Sequence, residues 1–146
     1  MIHLEEITEE NFDAVIQMRR PEGEAFVAPN SVSLAQAWLY RNDGDVFPFA
    51  IYEDDIPVGF LLLEEDVEAG NLMLWRIMIS VEYEGRGYGT QTVQLLIEQA
   101  RACGKYHALN LDCAEENRIA WNIYKKLGFR PTGAMNHGSV ELQILL

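Results

Sequence analysis

The densest chemical signal lies in Glu82-Tyr-Glu-Gly-Arg-Gly-Tyr-Gly89, where glycines recur at 85, 87 and 89. Each glycine costs about 1 kcal/mol relative to alanine in a helix interior, so helix propensity does not explain them. They make sense where the backbone must stay bare. The first turn of a helix exposes unpaired N–H groups at the positive end of its macrodipole. Glycines there let a phosphate approach those groups closely, and the turn becomes an anion cradle. A plain structural turn would carry the same glycines. A P-loop would need a lysine followed by Ser or Thr, and no lysine occurs between Gly85 and Gln94. A dinucleotide fingerprint would need a third glycine where Thr90 stands.

A second set of chemical groups lies in Asn117-Arg-Ile-Ala120-Trp-Asn-Ile-Tyr124-Lys-Lys-Leu-Gly128-Phe129. Ala120, Ile123, Tyr124 and Leu127 fall on one helical stripe, so spacing alone makes Tyr124 a core residue. A buried phenol still wants a polar partner. Asn117 is a good N-cap for the same helix. The cysteines, Cys103 and Cys113, lack metal or redox spacing, and no histidine is placed to activate either as a nucleophile. They are expected to be small buried hydrophobes, and no metal site is expected.

These groups are positioned by elements that alternate between the two periods. Ile2 to Ile7 is a short strand. Thr8-Glu-Glu-Asn starts a helix with Phe12, Val15 and Ile16 on its apolar stripe, ended by Pro21 and Gly23. Ser31 or Ser33 caps a second helix whose apolar face is Leu34, Ala37 and Trp38. Val46 to Tyr52 and Val58 to Leu63 form a hairpin around Glu53-Asp-Asp-Ile-Pro57. Leu72 to Val81 is apolar on both faces and therefore central in an antiparallel meander. Val93, Leu96, Ile97 and Ala100 mark a helix capped by Gly104, Tyr106 to Cys113 is a strand, and Gly128 ends the helix of Tyr124. Phe129 to Gly133 and Val140 to Leu145 close the chain through an Asn136-His-Gly-Ser139 turn. The order is β-α-α-β-β-β-α-β-α-β-β, an α/β chain with helices packed on a mixed sheet, and no linker or repeat divides residues 1–146 into domains.

Composition narrows the partners. The formal net charge is −12. Residues 1–70 hold 16 acids and 3 bases, net −13, and residues 71–146 hold 7 acids and 8 bases, net +1. Nucleic-acid binding needs a basic face and is not expected. The excess acid reads either as solubility or as a surface for a cationic small molecule. The longest apolar run, Val58 to Leu63, is far short of a membrane span. Met1-Ile-His-Leu-Glu-Glu has no basic flank or apolar signal region, which sets the expectation of a soluble cytoplasmic protein.

The glycine segment resembles the acyl-CoA signature of the GCN5-related N-acetyltransferase (GNAT) superfamily, Gln/Arg-x-x-Gly-x-Gly/Ala. Glu84-Gly85-Arg86-Gly87-Tyr88-Gly89 departs from it only at Glu84. The second segment resembles the family's Asn-x-x-Ala-x-x-x-Tyr-x-x-x-Gly-Phe element at every named position. The resemblance implies the GNAT fold, in which the strand of Leu74 to Val81 splays from that of Tyr106 to Cys113. It also implies acetyl-CoA as cosubstrate. Main chain at Ile77, Met78 and Ile79 then meets the pantetheine arm like an added strand. The turn at Glu84, Gly85, Arg86, Gly87, Tyr88, Gly89 and Thr90 takes the pyrophosphate, and Asn117 and Ala120 border the cofactor arm. The resemblance makes Tyr124 the general acid that protonates the departing thiolate. It leaves the base unassigned, with Glu22, Glu24, Glu64 or Glu65 acting through water.

The first half of a GNAT chain generally shapes the acceptor site. Glu24-Ala-Phe-Val-Ala-Pro-Asn30 and Leu74-Trp-Arg-Ile-Met78 are similar to bacterial spermine/spermidine acetyltransferases of the BltD type. With the acidic first half, that implies a polyamine acceptor met by Glu22, Glu24 and Trp75. Acetylation of a protein N-terminus or another small amine, and a non-catalytic acyl-CoA sensor, are the alternatives. The family often forms homodimers.

Overall fold

The computed structural model describes residues 1–20 and 28–146. Its elements are β1 (Ile2–Glu6), α1 (Phe12–Gln17), α2 (Asn30–Leu39), β2 (Val46–Glu53), β3 (Ile56–Asp66), β4 (Asn71–Ile79), a 3-10 turn (Val81–Tyr83), α3 (Tyr88–Cys103), β5 (Ala108–Cys113), α4 (Arg118–Leu127), β6 (Arg130–Asn136) and β7 (Ser139–Leu145). The seven strands form one mixed sheet in the order β1-β2-β3-β4-β5-β7-β6. All neighbouring pairs are antiparallel except β4 and β5. This is the α/β element order expected from the periodicities.

Short turns set the antiparallel registers. Asp54 and Asp55 alone join β2 to β3, with Asp54 at φ +53°. His137 (φ +51°) and Gly138 (φ +83°) close the β6–β7 hairpin, the pair of positive φ values that matches the twist of its strands. Gly104 and Gly128 cap α3 and α4 in the left-handed conformation.

The sheet is covered on both faces. α3 and α4 bury Val93, Leu96, Ile97, Ala100 and Tyr124 against Ile51, Leu61, Leu72, Leu109, Leu111, Phe129 and Leu142. Fully buried side chains of this size each stabilise by about 1.5–3 kcal/mol relative to exposure. α1 and α2 cover a smaller core of Val15, Ala50, Phe60, Leu62 and Met78 on the other face. β4 serves both cores, as its two-sided apolarity required.

The amphipathic reading of the first two helices needs correction. In α1 only Val15 is buried, while Phe12 and Ile16 are exposed. In α2, Leu34 and Ala37 pack on the sheet, but Trp38 is 67% exposed. Pro29 occupies the N-cap of α2, and neither Ser31 nor Ser33 caps it. Ser33 instead lies buried against the sheet. Cys113 is buried as expected, whereas Cys103 is exposed at the end of α3. Among the described residues no helix is long and apolar enough to cross a membrane.

Candidate functional site

One extra residue in β4 creates the site. β3 and β4 pair with Leu63 opposite Leu74 and Leu62 opposite Arg76, so Trp75 has no partner of its own and forms a β-bulge. Side-chain alternation shifts by one there. Leu72 and Leu74 face the α3/α4 core, Trp75 and Met78 face the α1/α2 core, and Ile77 and Ile79 pack on the α3/α4 side again. Arg76, bonded to α2, joins Trp75 on the α1/α2 side. A bulge also increases local twist, and β4 turns away from its parallel neighbour at this point. The β4–β5 ladder holds only Leu72–Leu109, Met73–Asn110 and Leu74–Leu111. Beyond it β4 continues to Ile79 while β5 stays with β7, leaving a wedge between them.

Backbone direction decides which groups line the wedge. The Ser80 N–H donates to the Val58 carbonyl at 2.8 Å, so Ser80 and Met78 address β3, and Ile77 and Ile79 address the wedge. Met78, expected with them, turns its main chain to β3 and its side chain to the α1/α2 core. Gly59 lets the strands close up here: a Cβ on it would sit 2.4 Å from the Met78 carbonyl oxygen.

The glycine turn abuts the open end of the wedge. Gly85 and Gly87 have φ +74° and +80°, and Gly87 is the N-cap of α3. No atom lies within 4 Å of a Cβ built at Gly85, and only the Gln91 amide comes within 4 Å at Gly87. The Gln91 N–H is the first to close a helical rung, onto Gly87 at 3.0 Å. The N–H groups of Tyr88, Gly89 and Thr90 therefore stand at the positive end of the helix without an intrahelical acceptor. A Cβ built on Gly89 would lie 3.8 Å from the Ile79 side chain, so the first turn of α3 stands beside the end of β4. Glu84 and Arg86 are exposed, and the Arg86 guanidinium lies 5.6 Å over the Tyr83 ring.

Across the wedge stand β5 and α4. Asn117 is the N-cap residue of α4, and its carbonyl accepts the Trp121 N–H at 2.9 Å, but its side chain makes no capping bond. That side chain is half-buried, as is Ala120 one turn on. Tyr124 is only 8% exposed, with its ring edge-on to Phe129 at 5.7 Å. Burial, with a smaller contribution from Cys113 at the end of β5, holds the Tyr124 phenol well above its ordinary range. Burial likewise pushes the Cys113 thiol up to about 11.

The opposite face carries polar groups that hydropathy reading missed. Asn30, Ser33 and Gln36 lie on one side of α2, against the sheet. Asn30 Nδ2 donates to the Val15 carbonyl at 2.9 Å, and its Oδ1 is buried without a partner. Ser33 Oγ accepts from Arg76 at 3.1 Å, and Gln36 Oε1 accepts from the same guanidinium nitrogen. Trp75 lies among them, tilted against Tyr40 at 6.4 Å. The only sequence signal was the i, i+3, i+6 spacing of three uncharged polar residues. Glu22 and Glu24 lie outside the described residues. Glu64 and Glu65 sit opposite Met73 and Leu72, at the closed end of β4. Glu65 is held by Lys105 at 3.0 Å and Tyr106 at 2.8 Å, while burial, Asp45 and Asp66 raise Glu64. Among the described residues no group of three His, Cys, Asp or Glu side chains could hold a metal ion.

Residues 12–129 match the Acetyltransferase (GNAT) family. The spermine/spermidine N(1)-acetyltransferase of Bacillus subtilis is 22% identical over 153 aligned positions, covering 98% of this chain and 97% of the relative. Two solved structures share the fold. The spermidine N-acetyltransferase of Vibrio cholerae in complex with CoA and spermine superposes with a TM-score of 0.76 at 15% identity, covering 99% and 95% of the two chains. The PaiA N-acetyltransferase of Thermoplasma acidophilum in complex with coenzyme A gives 0.73 at 15% identity, covering 100% and 99%.

The weakened acidities of Tyr124 and Cys113 tie stability to alkaline pH. Their ordinary values are 10.0 and 9.0, so the unfolded chain loses these protons while the native chain keeps them. Their contribution is complete below pH 9 and is lost as pH rises toward and beyond 11. The urea midpoint is expected to fall over that range, and Tyr124→Phe to flatten the fall above about pH 10. An identical slope in the variant would place the phenol in a solvated setting.

Proposed function

The chain belongs to the GNAT acetyltransferase family and is an acetyl-CoA-dependent N-acetyltransferase; we propose that its acceptor is a polyamine and that Tyr124 is its general acid. The observation that carries the site assignment is the wedge beyond Leu74–Leu111, which opens onto the unpaired N–H groups of α3. A pantetheine amide can pair with main chain at Ile77 and Ile79 in the manner of an added strand. A pyrophosphate suits Tyr88, Gly89 and Thr90, because the bare Gly85 and Gly87 leave room for it. In this reading Asn117 and Ala120 of α4 border the cofactor arm. When bound, acetyl-CoA supplies the activated acetyl thioester.

The chain's own groups then divide the work. The Ile79 N–H, turned to the wedge, is placed to polarise a carbonyl there. Burial keeps Tyr124 protonated throughout the neutral range, so its hydroxyl is ready to give a proton to sulfur as the carbon–sulfur bond breaks. Trp75 offers an apolar wall on the α1/α2 side for the methylene chain of the acceptor. In this reading residues 1–146 are one catalytic domain working in the cytoplasm on a cationic small molecule. The polyamine assignment is supported by the names of the full-length relatives and by the 16 acids and 3 bases of residues 1–70.

Three measurements test this reading. Gly87→Val puts a branched side chain at φ +80° beside the open N–H groups and is expected to raise the coenzyme A Kd at least tenfold, about 1.4 kcal/mol. Unchanged affinity in a folded variant rules out the turn as the phosphate site. Tyr124→Phe is expected to keep that affinity and lower kcat about 100-fold, the lower end for general acid catalysis because water partly substitutes. Wild-type turnover would leave Tyr124 a core residue only. Among spermine, spermidine, an aminoglycoside, an amino acid and a short peptide, a polyamine is expected to give the highest kcat/KM. Its KM should rise with salt as the Debye length falls from about 10 Å at 0.1 M to about 3 Å at 1 M. A peptide or amino acid that wins tenfold would make the acidity a solubility feature.

A further inference from the structure

Amine acetylation requires a neutral nitrogen, yet an alkylammonium resembles lysine, with a proton affinity near 10.4. Of the described carboxylates, Asp112 stands on β5 one residue past the Leu74–Leu111 rung, where its Oδ1 accepts from Asn136 Nδ2 at 3.0 Å. Glu65 is paired with Lys105 at the closed end of β4, and Glu64 lies beside it facing Asp45 and Asp66. What the structure does place on the acceptor side is a positive charge.

Arg76 follows the bulge directly and leaves β4 toward α2. Its Nη1 donates to Ser33 Oγ at 3.1 Å and to Gln36 Oε1, and the guanidinium carbon lies 4.9 Å over the Trp75 ring. All three partners are neutral, and no ion pair to Arg76 occurs among the described residues. The surroundings supply little to neutralise it. α2 carries no charged residue from Asn30 to Leu39, and Arg76 is the only charged residue of β4. Leu61, Leu62 and Leu63 of β3 lie opposite, with Glu64 and Glu65 beyond them. Tyr40 leans on Trp75, and Arg41 stacks on Trp38 at 3.6 Å. On α1, Asp13 is exposed; past the end of β4, Glu82 faces Arg19 at 3.9 Å. Burial lowers the Arg76 proton affinity, with no carboxylate among the described residues opposing it.

A strut between β4 and α2 does not need this charge. A neutral amide would donate to Ser33 and Gln36 without the cost of desolvating a cation. The charge itself therefore has a use. Resting on the acetyl transfer proposed above, we infer that Arg76 is a positioning residue that makes the bound ammonium give up its proton, in place of a general base. A like charge nearby disfavours the ammonium form. At an effective dielectric of about 20, a unit charge within roughly 10 Å moves a titration by about one pH unit. The first proton passes from the ammonium to water. The neutral nitrogen then bonds to the acetyl carbon, the carbon–sulfur bond breaks, and Tyr124 protonates the sulfur. The second proton, shed by nitrogen as the amide forms, restores Tyr124, so each turnover releases one proton to water.

The test is the pH profile of kcat at saturating amine and acetyl-CoA, which reports the bound complex. The amine is whichever one in the panel the wild-type enzyme acetylates fastest. In Arg76→Gln the acid limb should move up by about one pH unit, while Arg76→Lys keeps it at the wild-type position. Coenzyme A affinity should be unchanged in both. A limb that stays in place in Arg76→Gln, with turnover reduced by one factor at all pH values, makes Arg76 a strut and overturns the inference. Should Arg76→Gln fail to fold, Arg76→Met, which removes the charge but keeps an apolar stem beside Trp75, must move the limb in the same direction, and a stationary limb there overturns it equally. A wild-type enzyme that acetylates no amine overturns the acetyl-transfer reading itself, a different outcome from a limb that does not move.

Discussion

The extra residue at Trp75 is the constraint on which the working parts of this molecule depend. One unpaired position in β4 ends the parallel ladder after Leu74 and Leu111 and turns two main-chain edges toward open space. The same residue reverses side-chain alternation, so that consecutive residues, Trp75 and Arg76, face one side of the sheet together. A regular strand would have put Arg76 among the leucines of the α3/α4 core. There an unpaired guanidinium would have been far costlier. The bulge thus opens a wedge on one side of β4 and turns Trp75 and Arg76 to the α1/α2 face on the other.

The remaining elements hold that wedge open at a fixed width. Gly59 allows β3 to press against the Met78 carbonyl, which keeps β4 with β3 and away from β5. β7 occupies the far side of β5 along its whole length. α3 spans the opening, with Gly89 beside Ile79 and its apolar stripe sunk into the core. The proposed phosphate turn is consequently fixed in place. It draws on the backbone dipoles of α3 rather than on the exposed Arg86 side chain.

Charge acts on two length scales in this chain. The acids of residues 1–70 that the structure describes are spread over β1, the β2–β3 turn, the region around α1 and the closed end of the sheet. On the polyamine reading they shape the field through which a cation approaches. Arg76 and the buried polar side of α2 form a local charged and polar cluster on the α1/α2 face. On the proposed reading, a charge of the same sign as the substrate alters its protonation instead of its arrival.

The sequence alone determined the element order, the two-sided character of β4, the glycine caps of α3 and α4, and the pairing of a phosphate-type turn with a tyrosine-bearing helix. These are local properties: period, turn chemistry and backbone freedom at Gly85 and Gly87 can be read within a window of a few residues. The buried side of α2 was not legible, because Asn30, Ser33 and Gln36 look solvent-facing to hydropathy and Trp38 looks like core. Only the approach of Arg76 across 40 or more residues explains why the polar side turns inward. Nor could the bulge be read, since it is a mismatch between two strands and neither strand records it by itself. Which main-chain groups face the wedge, and that Met78 is not among them, follow from that mismatch. Tertiary structure decided them because register is a property of the pair.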